Sequence, residues 1–335
     1  MTALERKGKV APCGFGLGLA LLLLLASALS LRLNLPLGLS RETQDALLHL
    51  RWARLLAAFA AGSALAVAGV LIQGLLRNPL ASPSVIGTTA GASLGGQIAL
   101  LLLFHLGSSA AIAAEMVLPL GCLAGALFAL FFFWLFMFFS RDRFALLLVG
   151  FLLSALFSSV GGVLIAFGQQ WHALGRAMVG FSLGGLQGVG FPLLRVVAPL
   201  LVAALLASQR LAAPLDLLLS GEEEAESLGV DVRATQRWTV LWVAMLCAAA
   251  VALAGNLLFV GLVVPHLLRP WLGVRHRDLL PCAALAGGVF LILCDLLVRL
   301  IPLQAELPLG VLTGLLGAPL FLVLLLRQRR EWSVA

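Results

Sequence analysis

The chain has 335 residues, of which 61% are hydrophobic and only 11% charged. A soluble domain of this size carries roughly 25% charged residues, so a water-soluble globular fold is excluded. A net charge of +7 on such a chain reports orientation in a membrane rather than binding to nucleic acid.

In chain order, the apolar runs cover 13–33, 52–76, 84–106, 115–139, 144–167, 191–208, 238–259, a short one near 260–271, 282–301 and 307–326. Several reach the ~20 residues needed to cross ~30 Å of hydrocarbon, and the alternating pattern of a β-barrel is absent. The fold class is an all-α polytopic membrane protein with about ten transmembrane helices in one domain, 1–335. An even number of spans puts both termini on one side. With that side cytoplasmic, only Arg32, Arg41, Arg51, Arg54, Arg176, Arg195 and Arg299 of the 22 basic residues lie outside, as the positive-inside rule favours. Ala26-Ser27-Ala28 mimics a signal-peptide cleavage site, but removing the first run would leave an odd number of spans. That run is therefore read as a helix.

The second and third runs are joined by Gln73-Gly74-Leu75-Leu76-Arg77-Asn78-Pro79-Leu80-Ala81-Ser82-Pro83. Non-helical backbone at this point must sit at an interface or line a protein-enclosed cavity, and such broken segments are where transporters gate and bind. Gly87, Gly91 and Gly95 follow at four-residue spacing, repeated at Gly121/Gly125 and Gly310/Gly314. This spacing lets helix backbones approach closely.

The longest polar stretch, 209–237, reads as a cytoplasmic segment of two short helices. Ser220 and Gly221 cap the second, Glu222, Glu223 and Glu224 occupy its first turn, and Gly229 ends it. Ala225 and Leu228 give it a short apolar face. An apolar and acidic surface of this kind suits docking to a cytosolic partner.

Other chemistry is sparse. The only lysines are Lys7 and Lys9, and no phosphate-binding loop surrounds them, so any nucleotide-driven work needs a separate subunit. No Ser/His/Asp set or metal cluster occurs at usable spacing, which argues against an enzyme and implies no metal. Asp295 lies four residues before Arg299, the spacing of an intrahelical ion pair. So few in-span carboxylates argue against an ion-coupled secondary transporter. His266 and His276 read as structural, and the five cysteines as buried thiols.

Taken together, these motifs resemble the permease subunits of type II ABC importers for ferric siderophores, haem and vitamin B12. The resemblance covers about residues 15–327. It rests on Leu50-Arg51-Trp52-Ala53-Arg54, the 73–83 break, Gly221-Glu222-Glu223-Glu224-Ala225, Phe259-Val260-Gly261-Leu262-Val263-Val264-Pro265-His266, Ala305-Glu306-Leu307-Pro308-Leu309-Gly310 and Leu316-Gly317-Ala318-Pro319. It implies a second permease subunit (a homodimer), two cytosolic ATPase subunits that use the ATP, a periplasmic substrate-binding protein, and a bacterial inner membrane. No cofactor is implied for this chain.

The resemblance also assigns roles. Arg51, Arg54 and Arg299 correspond to arginines that dock the binding protein. Asn78 and Leu80 match the cytoplasmic gate. Arg143 and Phe144, in the loop Ser140-Arg141-Asp142-Arg143-Phe144, stand where some relatives carry small hydroxyl residues at a second constriction. Leu218, Ser220, Gly221, Glu222, Glu223, Ala225, Leu228 and Gly229 match the ATPase-coupling surface. Trp171, His172 and Met178, near the outer face, are candidate substrate-path residues for a flat iron-bearing ring. An iron chelate, siderophore or haem, is the expected solute, with cobalamin the alternative.

Overall fold

The computed structural model describes residues 12–32, 40–106, 111–139, 143–301 and 307–332. Among them the chain is helical: α1 (Pro12–Arg32), α2 (Arg41–Leu75), α3 (Thr88–Leu106), α4 (Ala111–Phe139), α5 (Arg143–Gly168), α6 (His172–Leu183), α7 (Phe191–Arg210), α8 (Ala212–Leu218), α9 (Glu222–Ser227), α10 (Val232–Ala254), α11 (Val260–Leu272), α12 (His276–Leu300) and α13 (Leu309–Trp332). Seven of these, α2, α3, α4, α5, α7, α10 and α12, are long and apolar enough to cross a membrane. Shorter apolar helices lie at Gly18–Leu31, Val260–Leu272 and Leu309–Val323. These correspond to the ten helices expected.

Two differences from the expected spans have local causes. Helix α2 runs to 35 residues because Ser40 caps it, its Oγ accepting the Thr43 N–H at 3.4 Å, so the polar stretch from Arg41 to Leu50 continues the helix beyond the apolar run. Helix α6 was not foreseen. Its twelve residues carry Gly175, Arg176 and Gly180, which interrupt the apolar pattern of a span.

Helices α2 and α10 form the centre. Nearly every residue of α2 from Ala57 to Leu75 is buried, most of them Ala, Gly or Val. A helix that is apolar all round buries every face, and small side chains allow neighbours to close in. A β-carbon at Gly62 would overlap the Gly287 carbonyl of α12, and one at Gly69 the Gly261 carbonyl of α11. The α3–α4 crossing is built the same way from two of the glycine motifs. Gly95 faces the carbonyl of Gly121, while a β-carbon at Gly91 would lie 2.5 Å from that of Gly125. Gly87 does not join this face. It precedes α3 with φ +83 after a 3-10 turn over Pro83–Ile86 and packs toward Leu153 and Gly150 of α5. In the third motif Gly310 fits tightly, its β-position 2.5 Å from the Asn256 carbonyl oxygen, whereas Gly314 has room.

Candidate functional site: the two ends of the bundle

At the end assigned outward by charge, Arg51 and Arg54 lie one turn apart on α2 and Arg299 lies on α12. The structure joins Arg54 and Arg299 through Asp295, whose side chain is almost fully buried, and sets Arg51 against the end of α1. Arg54 Nε donates to Asp295 Oδ1 at 2.9 Å and the Arg299 guanidinium donates to Oδ2 at 2.9 Å. Arg299 also donates to the Ser30 carbonyl at 3.1 Å and to Ser30 Oγ, while Arg51 donates to the Leu31 carbonyl at 2.8 Å. The hydrogen bonds of Arg51 and Arg299 fasten the end of α1 to α2 and α12. The i,i+4 pair was legible in sequence; the Arg54 contact, 241 residues away in the chain, was not. A cavity of about 420 Å³ adjoins the cluster, lined by Arg54, Asp295, Arg176, Phe181 and residues 184–189. Glu306 lies outside the described residues.

The proposed substrate-path residues part company. Trp171 is half-buried in an aromatic cluster, its ring 5.5 Å from Phe104, 5.8 Å from His105 and 5.4 Å from Phe167. His172 is exposed at the start of α6. Met178 is a correction: it is completely buried on the inner face of α6, close enough that a β-carbon at Gly168 would lie 2.7 Å from its sulfur. It packs the core instead of facing a path.

At the opposite end α2 finishes in the broken segment. Arg77 adopts φ +48. The Asn78 N–H donates to the Gln73 carbonyl at 3.1 Å, and Asn78 Oδ1 accepts the Leu80 N–H at 2.9 Å. Asn78 thus folds the turn, and the turn presents the exposed Leu80. Gln73 anchors it from below: its Oε1 accepts from Arg269 at 2.6 Å and its Nε2 donates to the Gly261 carbonyl at 3.4 Å. Arg143 and Phe144 open α5, but their side chains and the preceding 140–142 lie outside the described residues.

Beside this turn sit α8 and α9, the two short helices expected in 209–237. Leu218 and Ala225 are buried and hold them to the bundle, while Leu217, Leu219 and Leu228 are exposed next to Glu223, Glu224 and Glu226. Ser220 corrects the sequence reading, because the N-cap is Gly221 (φ 147) and no side chain caps the helix. Gly229 (φ 85) ends it as expected, with Val230 N–H returning to the Ala225 carbonyl at 3.0 Å in the manner of a left-handed helix stop.

Helix α8 is fastened by a contact that sequence reasoning missed. Asp216 Oδ1 accepts from His276 Nδ1 at 2.6 Å and from the His276 backbone N–H at 2.8 Å. Burial works to raise the Asp216 carboxyl, but these hydrogen bonds and the positive charge of His276 and Arg275 outweigh it and hold the group below its ordinary 3.8. A carboxyl depressed in the folded state contributes stability above its unfolded pKa and loses that contribution as pH falls through the folded value. Wild-type thermal stability should therefore drop as pH falls through and below 3.8, and Asp216→Asn should flatten that slope while lowering stability near neutrality. Equal acid slopes in differential scanning fluorimetry would contradict the assignment.

Comparison with known proteins agrees with this architecture. Residues 16–327 match the FecCD transport family. The chain is 40% identical over 283 residues to the Fe(3+) dicitrate transport system permease protein FecD of Escherichia coli (strain K12), covering 84% of this chain and 86% of that protein. It is 39% identical over 296 residues to the hemin transport system permease protein HmuU of Yersinia pestis, covering 87% of each. A solved ABC transporter structure, described as of the metal-chelate type and inward-facing, matches with a TM-score of 0.83 at 31% identity, over 95% of this chain and all of that one. With the match running from α1 into α13, this polytopic membrane protein belongs to the FecCD transport family.

Proposed function

We propose that this chain is the translocation subunit of an ATP-driven importer that carries an iron chelate, a ferric siderophore or haem, across a bacterial inner membrane by alternating access. The observation that carries the reading is the inner end of the bundle. Two short helices present leucines and glutamates outward and contact, through Glu222 and Arg77, the turn that holds Asn78 and Leu80. ATP would be bound and hydrolysed by two separate subunits docked on α8 and α9, with this chain holding no cofactor and performing no catalysis. Tilting of packed helices as rigid bodies would then open one end and close the other.

A second copy of the chain fits the exposed leucine and phenylalanine faces of α5 (Phe151, Leu152, Leu156) and α13 (Leu315, Leu322, Leu326), giving a homodimer around a central path. A periplasmic binding protein with acidic lobes suits the cationic outer rim, where such charges set encounter rate and register. The similarity to a ferric dicitrate permease and a hemin permease supports the iron-chelate class; vitamin B12 permeases match at up to 40% identity and keep cobalamin as the alternative.

The test is uptake of radiolabelled ferric dicitrate, hemin and cobalamin by cells with and without this chain, the ATPase and binding protein being intact. Uptake of one iron chelate is expected to fall to the level of passive entry in the deletion and to return on complementation. Loss of cobalamin uptake alone would replace the iron reading, and unchanged uptake of all three would remove it.

A further inference from the structure

Both inner helices are tied to the same short stretch at the end of α2, residues 73–78, by contacts of opposite character. Helix α8 is held through a short two-point contact: Asp216 takes two hydrogen bonds from His276, and the buried imidazole rests directly on Gly74, where a β-carbon would overlap Nε2. Helix α9 is held through a partly solvated ion pair, Glu222 Oε1 to the Arg77 guanidinium at 3.6 Å. The first contact has no room to slide. The second is long and solvated on the Glu222 side, and loose pairs of that kind are cheap to break and remake.

Arg77 itself is held in an uncomfortable state. Its backbone is left-handed without being glycine, and its Nε is buried with no hydrogen-bond partner among the described residues. Strained backbone and unsatisfied buried donors persist only where the surroundings impose them, and they cluster at switch regions. The next residue is Asn78, which folds the turn under Leu80. Any rotation of the Arg77 backbone therefore turns the segment that carries Leu80.

We propose that Arg77 is the positioning residue through which α9 moves the Asn78–Leu80 turn, with Glu222 as its grip and the Asp216–His276–Gly74 contact as the fixed pivot. The proposal rests on α8 and α9 being the ATPase-docking surface. It goes further by placing transmission in one ion pair instead of in the general motion of the bundle.

The test uses the complete transporter, with its ATPase subunits and binding protein, in proteoliposomes supplied with ferric dicitrate or hemin. The readout is solute moved per ATP hydrolysed. R77E is expected to hydrolyse ATP while moving about tenfold less solute per ATP, a size typical of coupling between contacting residues. R77K should lose less, because it keeps the charge without the guanidinium geometry. The swapped pair R77E/E222R should recover more than the product of the two single defects allows. A merely structural role would lower the amount of folded complex but leave the ratio of transport to hydrolysis unmoved. A wild-type ratio in R77E, or single defects that combine without recovery in the swap, would overturn the proposal. Failure of the wild-type chain to assemble with an ATPase would instead overturn the docking reading beneath it.

Discussion

Asp295→Ala is expected to be among the most damaging single substitutions in this chain, costing about 3–5 kcal/mol, the range for removing one partner of a buried ion pair. The carboxylate is almost fully buried and serves Arg54 from α2 and Arg299 from its own helix at once. Without it two guanidiniums remain close together in a partly buried site. Because Arg299 also holds the end of α1, loss of the carboxylate should loosen α1 first. Thermal unfolding in detergent and protease sensitivity of the α1–α2 connection would measure this. A melting temperature equal to wild type would show that the cluster is solvated and that Asp295 does not organise it.

The second large effect is expected at Gly95. A β-carbon there overlaps the Gly121 carbonyl, and the reciprocal β-position on Gly121 lies 2.6 Å from the Gly95 carbonyl oxygen. Backbone cannot yield as the tip of a flexible side chain can. Gly95→Leu must therefore push α3 and α4 apart along their whole crossing, at a cost of about 1–3 kcal/mol or more. Gly162→Leu is the matched control, because nothing lies within 4 Å of its β-position. Equal yield and melting temperature of folded protein for the two variants would refute a backbone-to-backbone crossing at α3–α4.

Hydropathy alone sufficed for the ten helices because lipid offers the backbone no partners. Each apolar run must satisfy its own N–H and C=O groups, and it does so locally as a helix. The same local logic located the break after Leu75, the Gly221–Gly229 limits around α9 and the i,i+4 pair of Asp295 with Arg299. All of these depend on residues within one or two turns of one another.

Tertiary structure decided everything that joins distant turns. Which glycine motif meets which, the Arg54–Asp295 pair, the seat of α8 on His276, the Arg77–Glu222 contact and the burial of Met178 all depend on how helices are arranged around α2. The helix pattern could not reveal that arrangement, because the interior of the bundle and the surrounding lipid are equally apolar. Leucines facing α10 and leucines facing a bilayer look alike in sequence, and association is selected by close packing and polar contacts instead.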